Sequence, residues 1–429
     1  MKRIALVSLG CAKNLIDSEM MLAMFPPEHY ILSSSPEGAD LIIVNTCAFI
    51  ASAKEESLQT VFSLAQYGAK VAVVGCLAQR YFKQLQEELQ EADLIVPIKD
   101  YAELSSRLNE LLGSDDIVPM NPLRRVISTS PYSAYLRISE GCDNFCAFCA
   151  IPLIRGRFAS RPFGEIIEEA KDLKHRGVKE ISLISQDTTC YGKDFENHKP
   201  DIVDLLKALD EMGFYSIRLL YLYPSEISDD LIRFIASSKS VSHYFDIPVQ
   251  CAGDHLLGLM KRHVTQKGTE ELLNSIRSLC PDAVLRTTLI AGFPGETEED
   301  VELTLAFLDQ IRFDHMGCFT YSPEEGTSGA AMKNQIPEEV KIARRDRLMK
   351  KQRKISYLRN KARIGDVYEG LVVGKREDGT YLFRCIWNAP DDIDGSFYFK
   401  SDAPLREGDV CRVKVTGAFA YDLEGVRVD

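Results

Sequence analysis

Three cysteines within eight residues constrain this chain more than any other feature of its sequence. Cys142, Cys146 and Cys149 follow the spacing CxxxCxxC, and Phe148 stands directly before the third. A cubane four-iron cluster normally takes four cysteine ligands, so a set of three leaves one iron open to another molecule. Zinc, a disulfide framework and chance are the alternatives, but zinc ribbons pair CxxC knuckles and the sequence has no partner pair. The spacing therefore predicts an iron–sulfur site with an open position.

Length and composition predict a soluble protein of two or three domains. The chain has 429 residues, more than one hydrophobic core usually holds. Its residues are 45% hydrophobic and 27% charged, which is typical of a soluble globular protein. No apolar run approaches the roughly 20 residues that span a bilayer, and residues 1–7 lack a signal-peptide pattern. With 12 cysteines available for metals, we expect a cytoplasmic location and no membrane contact. The net charge of −12 predicts poor affinity for nucleic acid, unless a local basic patch overrides the total charge.

The N-terminal part of the chain alternates predicted strands with predicted helices, which is typical of a doubly wound parallel sheet. The predicted strands are residues 3–9, 40–45, 70–75 and 92–98, and the predicted helices are 14–25, 52–65 and 79–91. Cys11, Cys47 and Cys76 each follow one of the first three strands. Because open α/β sheets bind ligands at the carboxyl ends of their strands, we expect these thiols to meet and hold a second cluster. The alternative is that each is a small buried hydrophobic residue.

A stretch rich in Gly, Pro and Asp, residues 113–131, predicts a linker. Beyond it, six strands alternate with five helices, which favours a six-fold partial (β/α) barrel over a complete eight-fold one. The predicted strands are residues 135–138, 180–185, 215–220, 243–247, 283–290 and 313–319, and the predicted helices are 163–176, 202–212, 229–237, 269–279 and 297–310. The cysteine motif follows the first of these strands, on the side where barrels of this type carry their active groups.

A polar, strongly basic helix is predicted for residues 338–363. It could contact RNA, but a solvated linker helix is the preferred interpretation. Five short strands follow, at 367–373, 381–385, 395–399, 410–416 and 424–428, and predict a small antiparallel β-barrel. Residues 363–429 hold 9 Lys and Arg against 13 Asp and Glu, a net of −4, which suits a basic protein partner better than nucleic acid. We expect Asp391, Asp392 and Asp394 to contact that partner, unless they form only a solvated loop.

The motifs together resemble the methylthiotransferases, a family of radical S-adenosylmethionine enzymes. The resemblance covers nearly the whole chain and implies an N-terminal auxiliary-cluster domain at 1–125, a radical domain with its linker helix at 132–362 and a TRAM barrel at 363–429. Residues 8–14 (Ser-Leu-Gly-Cys-Ala-Lys-Asn), 45–50 (Asn-Thr-Cys-Ala-Phe-Ile) and 184–188 (Ile-Ser-Gln-Asp-Thr) look like the branch that modifies a ribosomal protein. That branch acts on small-subunit ribosomal protein twelve, at the β-carbon of one aspartate.

The resemblance also implies cofactors and partners. It places a radical [4Fe–4S] cluster on Cys142, Cys146 and Cys149, and an auxiliary [4Fe–4S] cluster on the N-terminal cysteines Cys11, Cys47 and Cys76. S-adenosylmethionine at the open iron would yield a 5′-deoxyadenosyl radical, sulfur would arrive from the auxiliary cluster, and a second S-adenosylmethionine would supply the methyl group. A reductase would supply electrons, and the substrate protein could be modified on the ribosome.

The prediction also includes residues that contact S-adenosylmethionine. The expected set is Phe148, Ser185, Gln186, Asp187, Gln250 and Gly292. Ordinary turn chemistry, with Glu296 at a helix N-terminus, explains the glycine-rich stretch 289–296 equally well. Two other functions remain open from the residues: methylthiolation of a modified adenosine in transfer RNA, and a non-catalytic iron–sulfur carrier. Formation of 5′-deoxyadenosine after reduction would separate an enzyme from a carrier.

Overall fold

The N-terminal region is a parallel five-stranded sheet with helices on both faces. The computed structural model describes residues 1–428. The strands are β1 (Lys2–Ser8), β2 (Tyr30–Ser33), β3 (Leu41–Thr46), β4 (Lys70–Gly75) and β5 (Leu94–Pro97), in the order β2-β1-β3-β4-β5. The helices are α1 (Ala12–Leu22), α2 (Ala51–Ala65), α3 (Cys76–Arg80), α4 (Phe82–Glu88) and α5 (Leu104–Leu112). Apolar side chains pack on both faces of the sheet, so the predicted doubly wound architecture is confirmed.

Two details of this sheet differ from the prediction. The edge strand β2 was not predicted, because its four residues, Tyr-Ile-Leu-Ser, are too short and too exposed to give a clear pattern. The single helix predicted over residues 79–91 is two helices, because the chain leaves helical geometry at Tyr81, with φ −123° and ψ 27°. As a result α3 begins directly at Cys76, at the end of β4.

The central region is a partial barrel of six main parallel strands. Its strands are β6 (Ser133–Arg137), β7 (Ser139–Glu140), β8 (Ala159–Ser160), β9 (Glu180–Ile184), β10 (Ser216–Leu219), β11 (Tyr244–Asp246), β12 (Val284–Ala291) and β13 (His315–Thr320). The main strands form the sheets β10-β9-β6 and β11-β12-β13, and a parallel bridge between Ile217 and Val241 joins them. The helices are α6 (Ile151–Ile154), α7 (Phe163–His175), α8 (Ile202–Asp210), α9 (Asp229–Ser237), α10 (Asp254–Leu259), α11 (Gln266–Leu279) and α12 (Glu298–Ile311). The six-fold partial barrel is therefore confirmed.

The long basic helix is α13 (Glu338–Ala362), which packs on α12 and β13. Much of its positive charge is used within the chain. Arg344 lies 2.9 Å from Glu296, Lys351 lies 2.5 Å from Asp309, and Arg359 lies 2.9 Å from the buried Asp314. These pairs fix the helix across the outside of the last two barrel units, which favours the linker interpretation over an RNA contact for this face. No helix within residues 1–428 combines the length and apolar character needed to cross a membrane.

The C-terminal region is a closed five-stranded barrel with an aromatic core. Its strands are β14 (Val367–Lys375), β15 (Tyr381–Arg384), β16 (Phe397–Lys400), β17 (Val410–Ala418) and β18 (Leu423–Arg427), in the order β14-β15-β16-β18-β17. Trp387, Phe383, Phe397 and Phe399 are buried inside it. The small barrel is confirmed, with one difference from a purely antiparallel arrangement: β16 and β18 pair in parallel.

The loop between β15 and β16 docks this barrel onto the central region, and it corrects the expectation for the three aspartates. Asp394 has a side chain that is 0% exposed, and it accepts hydrogen bonds from Tyr244 Oη at 2.6 Å and Arg286 Nε at 3.2 Å. Asp391 accepts a hydrogen bond from the hydroxyl of Tyr135. Asp392 is exposed. The predicted partner contact is therefore wrong for Asp394, because its carboxylate joins two domains of the same chain.

Candidate active site

The three N-terminal cysteines meet at the carboxyl edge of the five-stranded sheet. Cys11 is the N-cap of α1, Cys47 follows β3, and Cys76 is the first residue of α3. A Cβ atom added to Gly10 would lie 2.9 Å from Cys47 Cβ and 3.0 Å from Cys47 Sγ, so the loops after β1 and β3 touch. The strand order places β3 between β1 and β4. The sheet topology thus brings together the residues that the sequence predicted to meet.

Asn14 connects these three loops, and sequence reasoning did not identify it. Its Nδ2 donates to the carbonyl oxygens of Leu9 at 2.9 Å and Thr46 at 3.0 Å. Its Oδ1 accepts from Cys76 Sγ at 3.4 Å and from Arg155 Nη2 at 2.5 Å. The side chain is fully buried. Its place in the Ser-Leu-Gly-Cys-Ala-Lys-Asn motif, three residues after the first cysteine, was the signal available.

The second set of cysteines lies on one compact loop after β7. The Cys142 amide donates to the Gly156 carbonyl at 3.2 Å, and the Cys149 amide donates to the Cys146 carbonyl at 3.0 Å. Asn144 Nδ2 donates to Asp187 Oδ2 at 2.8 Å, which fastens the loop to the end of β9. The carboxyl edge of the partial barrel therefore carries this triad, as predicted.

Burial raises the pKa of several of these thiols. It raises the pKa of Cys76 and Cys149 to about 12 and that of Cys142 to about 11, and it also raises the pKa of Cys47. A thiolate is the form that binds metal. Metal binding at these sites must therefore displace protons and will depend on pH.

The spacing of the sulfur atoms bears on the kind of metal site. A tetrahedral zinc site with bonds of about 2.3 Å holds its sulfurs roughly 4 Å apart. Across the described part of the chain, the only group of three ligand residues with atoms all within 4.8 Å of one another is His243, Cys280 and Asp282, which belongs to neither triad. Neither triad brings its three sulfurs that close together in this structure, and their all-thiol chemistry fits an iron–sulfur cluster.

One buried guanidinium lies against each triad. Arg155 Nη2 lies 3.8 Å from Cys76 Sγ, and Arg262 Nη1 lies 3.6 Å from Cys146 Sγ. Arg262 also donates to the Pro248 carbonyl at 2.7 Å and stacks 4.1 Å above the ring of Tyr223. Positive charge beside a thiolate stabilises the negative charge of the ligand and of any cluster bound to it.

Arg155 also belongs to a network between the two triads. Its Nη1 lies 2.8 Å from Asp17 and 3.2 Å from Glu140, and Arg137 Nη1 lies 2.6 Å and 2.9 Å from the same two carboxylates. Burial alone would raise the pKa of Asp17, but Arg155 and Arg137 outweigh it and hold that pKa below its usual range. Because Glu140 stands two residues before Cys142, this network joins the N-terminal triad to the loop of the second one.

The expected S-adenosylmethionine contacts at the end of β9 each have a partner within the chain, but the Gln186 side-chain oxygen is buried without one. Asp187 accepts hydrogen bonds from Asn144, from Thr189 Oγ1 at 2.6 Å and from Cys190 Sγ at 3.3 Å. Ser185 Oγ lies 3.3 Å from Thr188 Oγ1, and the Gln186 amide nitrogen donates to Glu140. Asp187 therefore fixes the second cysteine loop. A direct contact between these residues and S-adenosylmethionine stays a prediction.

The other three expected contacts differ in whether their surroundings leave an atom free to bind a ligand. Gln250 has a left-handed φ of 72°, and its side-chain oxygen is buried and unpartnered, which leaves it ready to bond a ligand. Gly292 has a φ of 77°, and a Cβ there would overlap the side chain of Lys341, so packing alone explains the glycine. Phe148 is half-buried against an apolar group that includes Ala147 and Phe293. Ligand contacts at Phe148, Gln250 and Gly292 stay predictions.

Sequence comparisons match three separate stretches of the chain. Residues 3–97 match the uncharacterized protein family UPF0004, residues 136–308 match the radical SAM superfamily, and residues 364–428 match the TRAM domain. Together with the open cysteine triad on a partial barrel, these matches define a radical S-adenosylmethionine enzyme.

Curated relatives then identify the family within that class. Ribosomal protein uS12 methylthiotransferase RimO from Acetivibrio thermocellus is 43% identical, over 99% of this chain and 98% of the relative. The RimO proteins of Pelotomaculum thermopropionicum and Aquifex aeolicus are each 44% identical over 99% of this chain, and the alignments cover 99% and 96% of those proteins. The chain belongs to the RimO family of methylthiotransferases. The predicted family and enzyme class are confirmed, with [4Fe–4S] clusters and S-adenosylmethionine as cofactors.

Solved structures support the fold alone. The radical S-adenosylmethionine methyltransferase TsrM from Kitasatospora setae matches with a TM-score of 0.56 at 13% identity, over 76% of this chain and 75% of that one. The cobalamin-dependent radical enzyme OxsB matches with a TM-score of 0.53 at 12% identity, over 83% of this chain and 56% of that one. Both similarities agree with the arrangement of an α/β domain beside a radical barrel.

Proposed function

We propose that this chain methylthiolates ribosomal protein uS12 at the β-carbon of one aspartate. The observation that carries the proposal is the pair of cysteine triads on facing sheet edges, joined by Arg155, Asp17 and Glu140. A carrier would need only one cluster site and no barrel edge open to a substrate. Relatives identical at 43–44% over nearly the whole chain bear the name uS12 methylthiotransferase, which supports this substrate.

We assign the radical [4Fe–4S] cluster to Cys142, Cys146 and Cys149, and the auxiliary cluster to the remaining triad, Cys11, Cys47 and Cys76. When bound, the radical cluster and S-adenosylmethionine supply the 5′-deoxyadenosyl radical, and the auxiliary cluster supplies the site of sulfur transfer.

The protein's own residues fix the positions of the loops that carry the two cysteine triads. Asn14 ties the loops of the auxiliary triad, and Asp187 ties the radical loop to β9 through Asn144. Ala150, directly after Cys149, packs in the same apolar core as Cys76 and Leu77, so the two sites share one rigid interface. Buried apolar side chains there exclude water, which protects a reactive radical from side reactions.

The substrate and partners follow from charge and family. A chain with net charge −12 and a C-terminal barrel with net charge −4 should attract a basic ribosomal protein and repel a phosphate backbone. A reductase would deliver the electron, direct nucleic-acid binding is not expected, and such chemistry would take place in the cytoplasm, on free uS12 or on the ribosome.

The test is mass spectrometry of the substrate after reaction with the reconstituted enzyme. Purified uS12 and small ribosomal subunits are offered separately with S-adenosylmethionine and a reductant, and a bulk transfer RNA fraction serves as the competing substrate. The expected result is one methylthio group on one aspartate of uS12, with 5′-deoxyadenosine formed alongside. Methylthiolation of transfer RNA with none of uS12 would overturn the substrate, and the lack of any 5′-deoxyadenosine would overturn the enzyme class.

A further inference from the structure

Lys13 is a buried cation without an anionic partner. Lys13 is 7% exposed, and among residues 1–428 no carboxylate oxygen lies within 4.0 Å of its ammonium group. The ammonium instead sits 3.2 Å from the centroid of the Tyr221 ring. A cation–π contact compensates only part of the solvation free energy that a charged group loses when it is buried. A buried ammonium held in this way therefore fits a site that an anionic ligand completes.

The position of Lys13 places this charge at the seam between the two triads. Lys13 is in the first turn of α1, two residues after Cys11. Tyr221 follows the carboxyl end of β10 and has a strained φ of 63°. Its carbonyl accepts from the Thr188 amide at 3.1 Å, next to Asp187, which holds the radical loop. Strained backbone of this kind clusters at ligand sites.

We propose that the Lys13 ammonium, on the face of Tyr221, is the subsite for the side-chain carboxylate of the acceptor aspartate. The inference rests on the proposed function and names its specificity-determining residue. In aspartate the β-carbon is bonded directly to the carboxyl carbon. An ion pair at Lys13 would therefore hold the β-carbon beside the auxiliary triad, on the side of the radical domain. Recognition of the carboxylate also separates aspartate from asparagine.

A second carboxylate could reach the same cation. S-adenosylmethionine carries one on its methionyl group, so both candidate ligands share the same chemistry. The geometry favours the substrate, because Lys13 belongs to the α/β domain beside Cys11, whereas the open iron assigned to S-adenosylmethionine lies on the loop of Cys142. Separate measurements of peptide binding and S-adenosylmethionine binding distinguish the two sources.

The experiment measures equilibrium binding of a labelled uS12 peptide to the anaerobic holoenzyme by fluorescence anisotropy. Two peptides are compared, one with aspartate and one with asparagine at the acceptor position. We expect the wild type to bind the aspartate peptide about tenfold more tightly or better, the usual effect of a hydrogen bond to a charged group. Lys13→Met should bind both peptides equally and weakly, and Lys13→Arg should keep the preference for aspartate.

The matched control is Lys174→Met. Lys174 also lies against an aromatic ring, 5.2 Å from the centroid of Phe214, but it donates to the Gly213 carbonyl on the outside of the barrel. This variant should leave the affinity for both peptides unchanged. An equal loss in the Lys174 variant would show that the effect of Lys13→Met is not specific to the proposed subsite, and would overturn the proposal.

Other outcomes separate this inference from the proposed function. If Lys13→Met weakens S-adenosylmethionine binding and leaves the peptide preference intact, the subsite takes the methionyl carboxylate and the proposal is wrong. If Lys13→Met loses iron, the test uses the wild type alone. Equal affinities of the wild type for the aspartate and asparagine peptides then overturn the proposal. A wild type that does not modify uS12 at all contradicts the proposed function. A wild type that modifies uS12 with the same KM as Lys13→Met contradicts only the role of Lys13.

Discussion

The two cysteine triads are built by opposite routes. The radical triad comes from one loop, where Cys142, Cys146 and Cys149 lie within eight residues and backbone turns set their spacing. The auxiliary triad comes from three strand ends, and Asn14 bonds to Cys76 across 62 positions of the chain. A local site depends on its own loop, whereas a non-local site exists only when the whole sheet has formed. The comparison predicts that the auxiliary site is the more sensitive of the two to the stability of its domain.

Both triads nevertheless share two structural features: a left-handed glycine before one cysteine and a buried guanidinium beside one sulfur. Gly75 and Gly141 stand directly before cysteines and have left-handed φ values of 91° and 76°. A buried guanidinium also lies on one sulfur of each triad. The triads differ in what balances that guanidinium. Arg155 is paired with Asp17 and Glu140, whereas Arg262 has no carboxylate oxygen within 4.0 Å in the described chain.

Replacement of each triad by alanine gives the largest expected effect. Reconstituted wild type should bind about eight irons, and either triple variant should keep about half. The Cys142, Cys146 and Cys149 variant should lose cleavage of S-adenosylmethionine. The Cys11, Cys47 and Cys76 variant should still form 5′-deoxyadenosine and make no methylthio product. Iron analysis and product analysis by mass spectrometry check both variants. Loss of all iron from either one would contradict two separate sites.

Substitution of the glycines should remove one cluster at a time. A Cβ at Gly75 would overlap the Asn45 side chain and the Thr46 carbonyl, and a Cβ at Gly141 would overlap the Arg157 carbonyl. We expect Gly75→Ala to lose the auxiliary iron and Gly141→Ala to lose the radical iron, each about half of the total.

Gly113→Ala is the matched control for both glycine variants. Gly113 also has a left-handed φ, of 59°, but a Cβ there meets no atom within 4 Å. The control should keep all of its iron and lose only a modest amount of stability. If it loses as much iron as Gly75→Ala, backbone strain rather than crowding at the strand end explains the effect.

Sequence reasoning recovered what depends on local pattern. The CxxxCxxC loop is a matter of spacing, and the buried apolar runs at β3 and β4 identify parallel strands without any tertiary information. The convergence of Cys11, Cys47 and Cys76 followed because parallel strands end at one edge of a sheet. These features are fixed by residues that are near one another in the sequence or by the general rules of sheet topology.

The features that sequence reasoning missed depend on contacts between distant residues. Asn14 and Arg155 are 141 positions apart, and nothing in either local pattern reveals that they meet. Asp394 was expected at the surface because it lies in a polar turn, yet Tyr244 and Arg286 bury it in another domain. A turn shows polarity in the sequence, but its exposure is decided by what docks on it.

The network between the triads offers a test of how independent they are. Asp17→Asn leaves Arg137 and the buried Arg155 with Glu140 as their one remaining shared carboxylate, which should cost about 3 kcal/mol of unfolding free energy, the lower end of the range for a broken buried ion pair. We expect partial iron loss at both triads, since the network touches both. Urea unfolding measures the stability difference, and the exposed Asp392→Asn should change it by less than about 0.5 kcal/mol.

The same variant predicts a pH dependence. The pKa of Asp17 is held below its model-peptide value of 3.8 in the folded protein, so the folded state binds the proton less readily than the unfolded state. Its stabilising contribution is therefore full above about pH 4 and is lost as the pH falls through the lowered pKa. The difference between wild type and Asp17→Asn should stay constant from about pH 5 to pH 8. A difference that grows as the pH falls below about 4 would contradict the ion-pair assignment.

The smallest expected effect concerns the two guanidinium groups. Removal of a positive charge beside a cluster disfavours its reduced, more negative form, so Arg262→Gln should lower the reduction potential of the radical cluster by tens of millivolts. Arg155→Gln should lower the potential of the auxiliary cluster by less, because Asp17, left with one cation fewer, takes up a proton more readily and restores part of the balance. The corresponding lysine variants keep the charge and should shift the potentials least. Redox titration followed by electron paramagnetic resonance gives both values, and equal shifts at the two triads would show that Asp17 does not buffer the charge of Arg155.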